Sequence, residues 1–288
     1  MALNWQRNRR LSEFSTWGIG GPVSLFAAIE TPEEMEEAFA YAKAEKLPFF
    51  ILGKGSNCLF DDAGFEGIVL LNRIDFFHWE GESVHAGAGA SFSLLGMKSA
   101  MKGLKGLEFA SGIPASVGGA VFMNAGANGK ETQETLSRVE YLDFEEGRKI
   151  YLKENLVFTY RKSPFQSMRG AILSAHFSLE SESGARQRQL EIIGYRMKTQ
   201  PLKDKSAGCV FRNPSPGISA GALIDRCGLK GLAVGGAEVS EVHANFLVNR
   251  GGAKAKDVLE LIRIVQNEVY EKTQTLLEPE VRIVGRHG

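Results

Sequence analysis

Apolar and polar positions fall into short blocks whose spacing changes along the chain. Thr31-Pro32-Glu33-Glu34 is a capping box with proline at the first helical position, and it predicts a helix running to about Lys46. Pro48-Phe49-Phe50-Ile51-Leu52 and Gly67-Ile68-Val69-Leu70-Leu71 are short apolar runs bounded by Pro or Gly, and they predict buried strands. Ser83 to Ala90 predicts a strand entering a glycine-rich turn, Ser91 to Met101 a helix, and Val139–Leu142 and Ala171–Phe177 two more strands. Stretches 111–120 and 124–129 read as loops rich in Gly, Ala and Asn. After the polar break Ser181-Glu182-Ser183-Gly184, a charged helix is expected over about 185–198, then a loop over 203–216 with a short apolar centre. A short helix over 219–225, a strand over 245–249 and a long helix from Lys254 to about Thr275 follow. Val258, Leu261, Ile262, Val265 and Val269 share one face of that helix. A strand over 281–284 closes the chain. The expected segments are 1–73, 74–184 and 185–288.

Composition narrows the function classes. Lys plus Arg and Asp plus Glu both number 34, so the net charge is zero, against a bulk electrostatic grip on nucleic acid or anionic membrane. No apolar run approaches the roughly 18 residues of a membrane span. The start, with Arg7, Arg9 and Arg10, lacks the apolar stretch of a secretory signal and reads as a solvated terminus. Three cysteines (Cys58, Cys209, Cys227) make a poor disulfide framework and point to a reducing, cytoplasmic setting. The five histidines lie far apart, with no HExxH and no CxxC, so no metal site is expected. No heptad seam suggests a coiled-coil dimer, and a monomer is expected. Glycine is the outlier, 33 of 288 residues against a usual share of about 7%.

The glycines carry the candidate chemistry. Gly53-Lys54-Gly55-Ser56-Asn57 follows a strand, where successive N–H groups and the Ser and Asn donors could face one anion. It lacks the third glycine of a dinucleotide fingerprint and the GK[ST] of a P-loop, and a plain two-glycine turn also fits. Gly112-Ile113-Pro114 and Asn124-Ala125-Gly126 are either tight turns or backbone donors to a large nucleotide cofactor. Arg161 lies among Phe158, Tyr160 and Phe165, either as a bidentate carboxylate clamp or as a surface arginine packed on Tyr160. Cys209 is either a buried small hydrophobe or a working thiol. Glu280 stands at the mouth of the last strand, where an exposed carboxylate is the simplest reading.

Eight segments follow one another along the chain: Ser15-Thr16-Trp17-Gly18-Ile19-Gly20-Gly21, Leu52 to Asn57, Gly112-Ile113-Pro114 with Val117-Gly118-Gly119-Ala120, Asn124-Ala125-Gly126, Tyr160-Arg161 with Ser163, Ala207-Gly208-Cys209-Val210-Phe211 with Asn213-Pro214, His243-Ala244-Asn245-Phe246, and Glu280-Val281-Arg282. In this order they resemble the UDP-N-acetylenolpyruvoylglucosamine reductase (MurB) family, in its shorter subtype without a Tyr-bearing insertion over the substrate.

The resemblance implies an α+β chain: a two-lobed FAD-binding fold of the vanillyl-alcohol oxidase type plus a C-terminal α/β substrate domain. Strand 280–285 would return to the flavin side. FAD would be held non-covalently by Gly53, Lys54, Gly55, Ser56, Asn57, Gly112, Ile113, Ser116, Gly118, Gly119, Asn124 and Gly126. NADPH would be the reductant and a UDP-sugar the substrate, in peptidoglycan precursor synthesis. Tyr160, Arg161, Arg212 and Asn213 would bind that substrate. Arg161 and Glu280 would hold its carboxylate, Glu280 in protonated form or through a water, and Cys209 would be the general acid.

Cys209 replaces the commoner serine of the family. Asn128 stands for a Tyr, Ala115 for a Gly and Val242 for a Lys. Two other readings stay open on the residues. One is a flavin oxidase or dehydrogenase of the same fold acting on a sugar or lactone, which has no need of Arg161, Cys209 and Glu280 together. The other is a nucleotide-binding regulatory module.

Overall fold

The capping box forms as its residues dictate. Thr31 Oγ1 accepts from the Glu34 amide and the Glu34 carboxylate accepts from the Thr31 amide, so helix α1 runs over Pro32–Ala44. In this computed structural model residues 3–287 are described; Met1, Ala2 and Gly288, at the outer ends of the first and third expected segments, lie outside them. The strands before residue 100 are β1 (Val23–Ile29), β2 (Phe49–Leu52), β3 (Cys58–Phe60), β4 (Phe65–Asn72), β5 (Phe77–Glu80) and β6 (Ser83–Gly87). Next come β7 (Leu104–Lys105), β8 (Gly126–Ala127), β9 (Lys130–Glu131), β10 (Leu136–Asp143), β11 (Gly147–Leu152), β12 (Gly170–Ser178) and β13 (Glu180–Ser181). The last are β14 (Lys205–Cys209), β15 (Ala233–Val234), β16 (Ala237–Val239), β17 (Phe246–Asn249) and β18 (Arg282–Val284). The further helices are α2 (Phe92–Met101), α3 (Val117–Met123), α4 (Ala185–Thr199), α5 (Ala220–Arg226) and α6 (Ala255–Thr273).

The chain divides into two units, and each gathers separated stretches. Among the described residues, unit 1 holds 3–6, 26–54 and 68–196, and unit 2 holds 7–25, 55–67 and 197–287. In unit 1, β2 and β4 pair in parallel, with Phe49 opposite Ile68. Its main sheet has the order β11-β10-β12-β6-β5. Alternation puts Val84, Ala86, Val139, Ala175 and Phe177 on the core face, packed with Phe92, Leu95, Phe109, Val117 and Val121 of the helical layer. In unit 2, the sheet β14-β17-β16-β15 shares its core with Val258, Leu261, Ile262, Val265 and Val269, the stripe expected on α6. The closing strand β18 pairs in parallel with β3, Arg282 opposite Cys58.

Several elements differ from the sequence reading, β1, β2 and α3 among them. β1 was not expected, because Val23-Ser24-Leu25-Phe26-Ala27-Ala28-Ile29 shows little alternation; it is buried at all but Ser24 and the half-buried Ala28. Phe49, Phe50 and Ile51 of β2 are half-buried rather than buried. The stretch 111–120 is not one loop, since it ends in the first turn of α3, with Ser116 as the cap accepting from Gly119 N at 3.2 Å. Glycine disfavours a helix interior, which hid this helix. Gly118 is there for space: a Cβ would stand 2.8 Å from Ala88 Cβ. Gly118→Val is therefore expected to destabilise the protein by about 1–3 kcal/mol, read as a lower denaturant midpoint at unchanged slope. Gly119→Ala, whose Cβ would meet only Ser116 Oγ at 3.2 Å, should move the midpoint far less.

Candidate active site

In unit 1 the candidate residues gather around two turns. A Cβ on Gly53 would lie 2.4 Å from Ser116 Oγ, so the glycine brings the loop after β2 against the cap of α3. Lys54 is exposed. Gly112 has φ +85, its N–H donates to Ser93 Oγ at 2.7 Å, and its carbonyl accepts from Arg196 Nη2 at 2.9 Å. Ile113 packs on the unit 1 core.

The second turn carries Arg161. Thr159 and Lys162 exchange backbone hydrogen bonds of 3.1 and 2.9 Å, leaving Tyr160 and Arg161 at the tip. Arg161 adopts φ +59, the left-handed region. Its Nη2 donates to Gly126 O at 2.9 Å, and its Cζ lies 5.1 Å from the Tyr160 ring centroid. A Cβ on Gly126 would sit 3.1 Å from Arg161 Nη1. Asn124 is fully buried; its Nδ2 donates to Glu131 and to Thr159 O, and its Oδ1 accepts from Gln133 N. Asn124 and Gly126 thus brace the turn that presents Arg161, a task the sequence did not reveal.

In unit 2, Gly55 (φ +62) lies where a Cβ would strike Phe14 O, and its carbonyl accepts from Thr16 N. Ser56 follows, half-buried, and Asn57 Nδ2 donates to Glu280 O at 3.2 Å. Cys209 ends β14, opposite Phe246 of β17. That strand falls inside the expected loop 203–216; Lys205-Ser206-Ala207-Gly208-Cys209 has no β-branched residue, and pairing with β17 makes it a strand. Directly beyond it, Glu280 N donates to Val210 O at 2.7 Å and Arg212 N to Glu278 O at 2.9 Å. The segments bearing Cys209, Arg212 and Glu280 are therefore neighbours.

Asn245 fixes this corner: its Oδ1 accepts from Phe211 N and its Nδ2 donates to Phe211 O, at 2.9 and 2.8 Å. Sequence reasoning quoted Asn245 without giving it a task. Arg212 Nε is buried with no hydrogen-bond partner among the described residues. Asn213 Oδ1 accepts from Ala220 N at 3.1 Å, bracing the loop before α5. Trp17 is buried and donates from Nε1 to Leu247 O at 2.7 Å, so the Ser15–Gly21 motif anchors β17.

Comparisons with known proteins agree over nearly the whole chain. A family model described as FAD binding domain matches residues 23–152, and one described as UDP-N-acetylenolpyruvoylglucosamine reductase, C-terminal domain, matches residues 200–284. The UDP-N-acetylenolpyruvoylglucosamine reductase of Protochlamydia amoebophila (strain UWE25) is 55% identical over 282 residues, covering 97% of this chain and 94% of the relative. That of Chlamydia trachomatis serovar A is 46% identical over 280 residues, covering 97% and 96%. The solved structure of UDP-N-acetylenolpyruvylglucosamine reductase from Thermus caldophilus superimposes with a TM-score of 0.83 at 40% identity, covering 98% of this chain and 99% of that one. With the eight motifs lying in the matched order on a fold of the same α+β class, the chain belongs to the UDP-N-acetylenolpyruvoylglucosamine reductase family of FAD-dependent oxidoreductases.

Proposed function

We propose that Cys209, Arg161 and Glu280 carry the proton and charge chemistry of the family reaction in this chain, the NADPH-dependent reduction of UDP-N-acetylglucosamine enolpyruvate to UDP-N-acetylmuramate. Bound FAD supplies the hydride chemistry, between NADPH and the enolpyruvyl alkene. The residues fit such a group: Gly53 closes on Ser116 where a Cβ would intrude, Gly112 holds a backbone form open to glycine, and the Ser111 hydroxyl is buried with no hydrogen-bond partner among the described residues. Gly53, Lys54, Gly55, Ser56, Asn57, Gly112, Ile113, Ser116, Gly118, Gly119, Asn124 and Gly126 would hold it.

The observation that carries the assignment is the hydrogen bond from Glu280 N to Val210 O, which sets the carboxylate-bearing segment beside the thiol-bearing one. Hydride adds to the alkene carbon remote from the substrate carboxylate, so negative charge develops on the carboxylate side. The planar Arg161 fork suits that carboxylate, and a positioned donor of this kind is worth about 10²–10³ in rate. The Cys209 S–H then breaks as the C–H bond on the neighbouring carbon forms, and the thiolate regains a proton from water. Arg212 and Asn213 take the UDP-sugar, with Tyr160 near its reacting end. Segments 1–73 and 74–184 serve the flavin and 185–288 the sugar. The protein works as a cytoplasmic monomer; Cys58, Cys209 and Cys227 are in no disulfide among the described residues, which suits a reducing compartment, and no helix among the described residues is long and apolar enough to cross a membrane.

The test is NADPH consumption by the FAD-loaded protein. It is expected only when the enolpyruvyl UDP-sugar is present, with equal amounts of product and no peroxide. Consumption in air without the sugar, with peroxide formed, would mark an oxidase and overturn the reading.

A further inference from the structure

Three strands of unit 1 bring two histidines and a glutamate together on the sheet face turned away from the core. His85 of β6 and His176 of β12 are directly paired, and their rings stack with centroids 3.7 Å apart and planes 12° apart. Glu140 of β10 presents one oxygen, Oε1, to both: 3.7 Å from His85 Nε2 and 3.6 Å from His176 Nε2. One possible ligand atom from each residue lies within 4.8 Å of the other two. The β10–β12 register shifts between Glu140 and Tyr141, a bulge of the sort that re-aims a side chain. His176 Nε2 is buried with no hydrogen-bond partner among the described residues. The reduction chemistry uses none of the three.

We propose that His85, Glu140 and His176 bind one divalent transition-metal ion of the zinc class, clasping the adjacent strands β10, β12 and β6. Two imidazoles and one carboxylate are the donors of zinc and cobalt, not the all-oxygen set of calcium or magnesium. A tetrahedral site with bonds of about 2.0–2.1 Å spaces its ligands by roughly 3.3 Å, against 3.6 and 3.7 Å from Glu140 Oε1 to the two Nε2 atoms, and the stacked imidazoles, 12° from parallel, turn about their Cβ–Cγ bonds to bring both lone pairs onto one ion. The three side chains keep 17–32% exposure, which leaves a fourth position for water. Ser174 Oγ stands 2.8 Å from His85 Nε2 and also hydrogen-bonds the Glu140 carboxylate; metal binding gives up the first contact and keeps the second. Burial disfavours the protonated form of both imidazoles, with the neighbouring His85 ring adding to the effect at His176. The groups facing the site are Arg138, opposite His176, whose charge opposes a metal, and His78, whose ring lies 6.2 Å from that of His85.

FAD-loaded, full-length protein freed of metal is titrated near neutral pH with Zn2+ by calorimetry and with Co2+ by visible absorption. One equivalent is expected to bind, with the cobalt bands of a four-coordinate N/O site. Zinc raises the melting temperature of the wild type but not of the His85→Gln/His176→Gln variant. Glu140→Gln and His176→Gln each weaken binding by roughly 10-fold or more, and Arg138→Gln tightens it. Flavin content and circular dichroism report whether each variant is folded. No stoichiometric uptake by the wild type overturns the proposal, as does unchanged affinity in the double variant. Should that variant fail to fold, the wild-type cobalt spectrum decides: a sulfur-to-cobalt charge-transfer band places the metal on cysteine and sinks the site.

Discussion

Cys209→Ala is expected to lower turnover of the enolpyruvyl sugar by about 10²–10⁴-fold, the usual worth of a positioned general acid, while NADPH still reduces the bound flavin. The strand end that carries Cys209 is held from both sides: β14 pairs with β17 through Phe246, and Asn245 grips both backbone groups of Phe211. The truncation therefore removes a proton donor without moving its neighbours. Cys209→Ser keeps an O–H at the same place and should retain much of the activity, as the family's commoner residue would suggest. Thiol alkylation gives an independent readout. Burial pushes the Cys58 thiol up to about 11, so only about one molecule in 10³–10⁴ is thiolate near neutral pH, and Cys58 is nearly inert. Alkylation should inactivate the wild type, bound substrate should protect it, and Cys209→Ser should resist. Normal turnover by the alanine variant would remove Cys209 from the mechanism; inactivation that persists in Cys209→Ser would move the sensitive thiol to Cys227.

Local rules were enough wherever a stretch specifies its own geometry. The Thr31 box and the α6 stripe do so, since a cap and a 3.6-residue period act within one turn or one face. They fail where a distant partner decides. β14 exists because β17 pairs with it, and α3 tolerates Gly118 because Ala88 lies against it. The same limit applies to the site. The motifs around Asn124 and Gly126 were visible, but their grip on Thr159 O and on the Arg161 guanidinium depends on a turn some 35 residues onward. His85 and His176, 91 positions apart, looked unrelated until the antiparallel register of β6 and β12 set them face to face. Spacing along the chain speaks only to ligands carried on one element, not to side chains that strand pairing brings together.

Arg161→Gly should separate stability from activity. A non-glycine residue at φ +59 carries a steric penalty of about 1–2 kcal/mol, and glycine removes it. Against that gain stand the lost hydrogen bond to Gly126 O, worth about 1 kcal/mol, and the contact over the Tyr160 ring, worth about 0.5–1 kcal/mol. The opposing changes nearly cancel, so the unfolding free energy should move by less than about 1 kcal/mol. Catalysis has no such compensation: if Arg161 is the carboxylate clamp proposed above, losing its fork should lower kcat/KM by about 10²–10³-fold. Arg161→Lys is the informative partner, because it keeps both the charge and the strained backbone but gives up bidentate geometry. It should be slightly less stable than wild type and fall between the two in activity. A glycine variant as active as wild type would dismiss Arg161 from the reaction. One destabilised by several kcal/mol would mean that the guanidinium chiefly holds the turn together, and that a strained conformation persists there for folding rather than for chemistry.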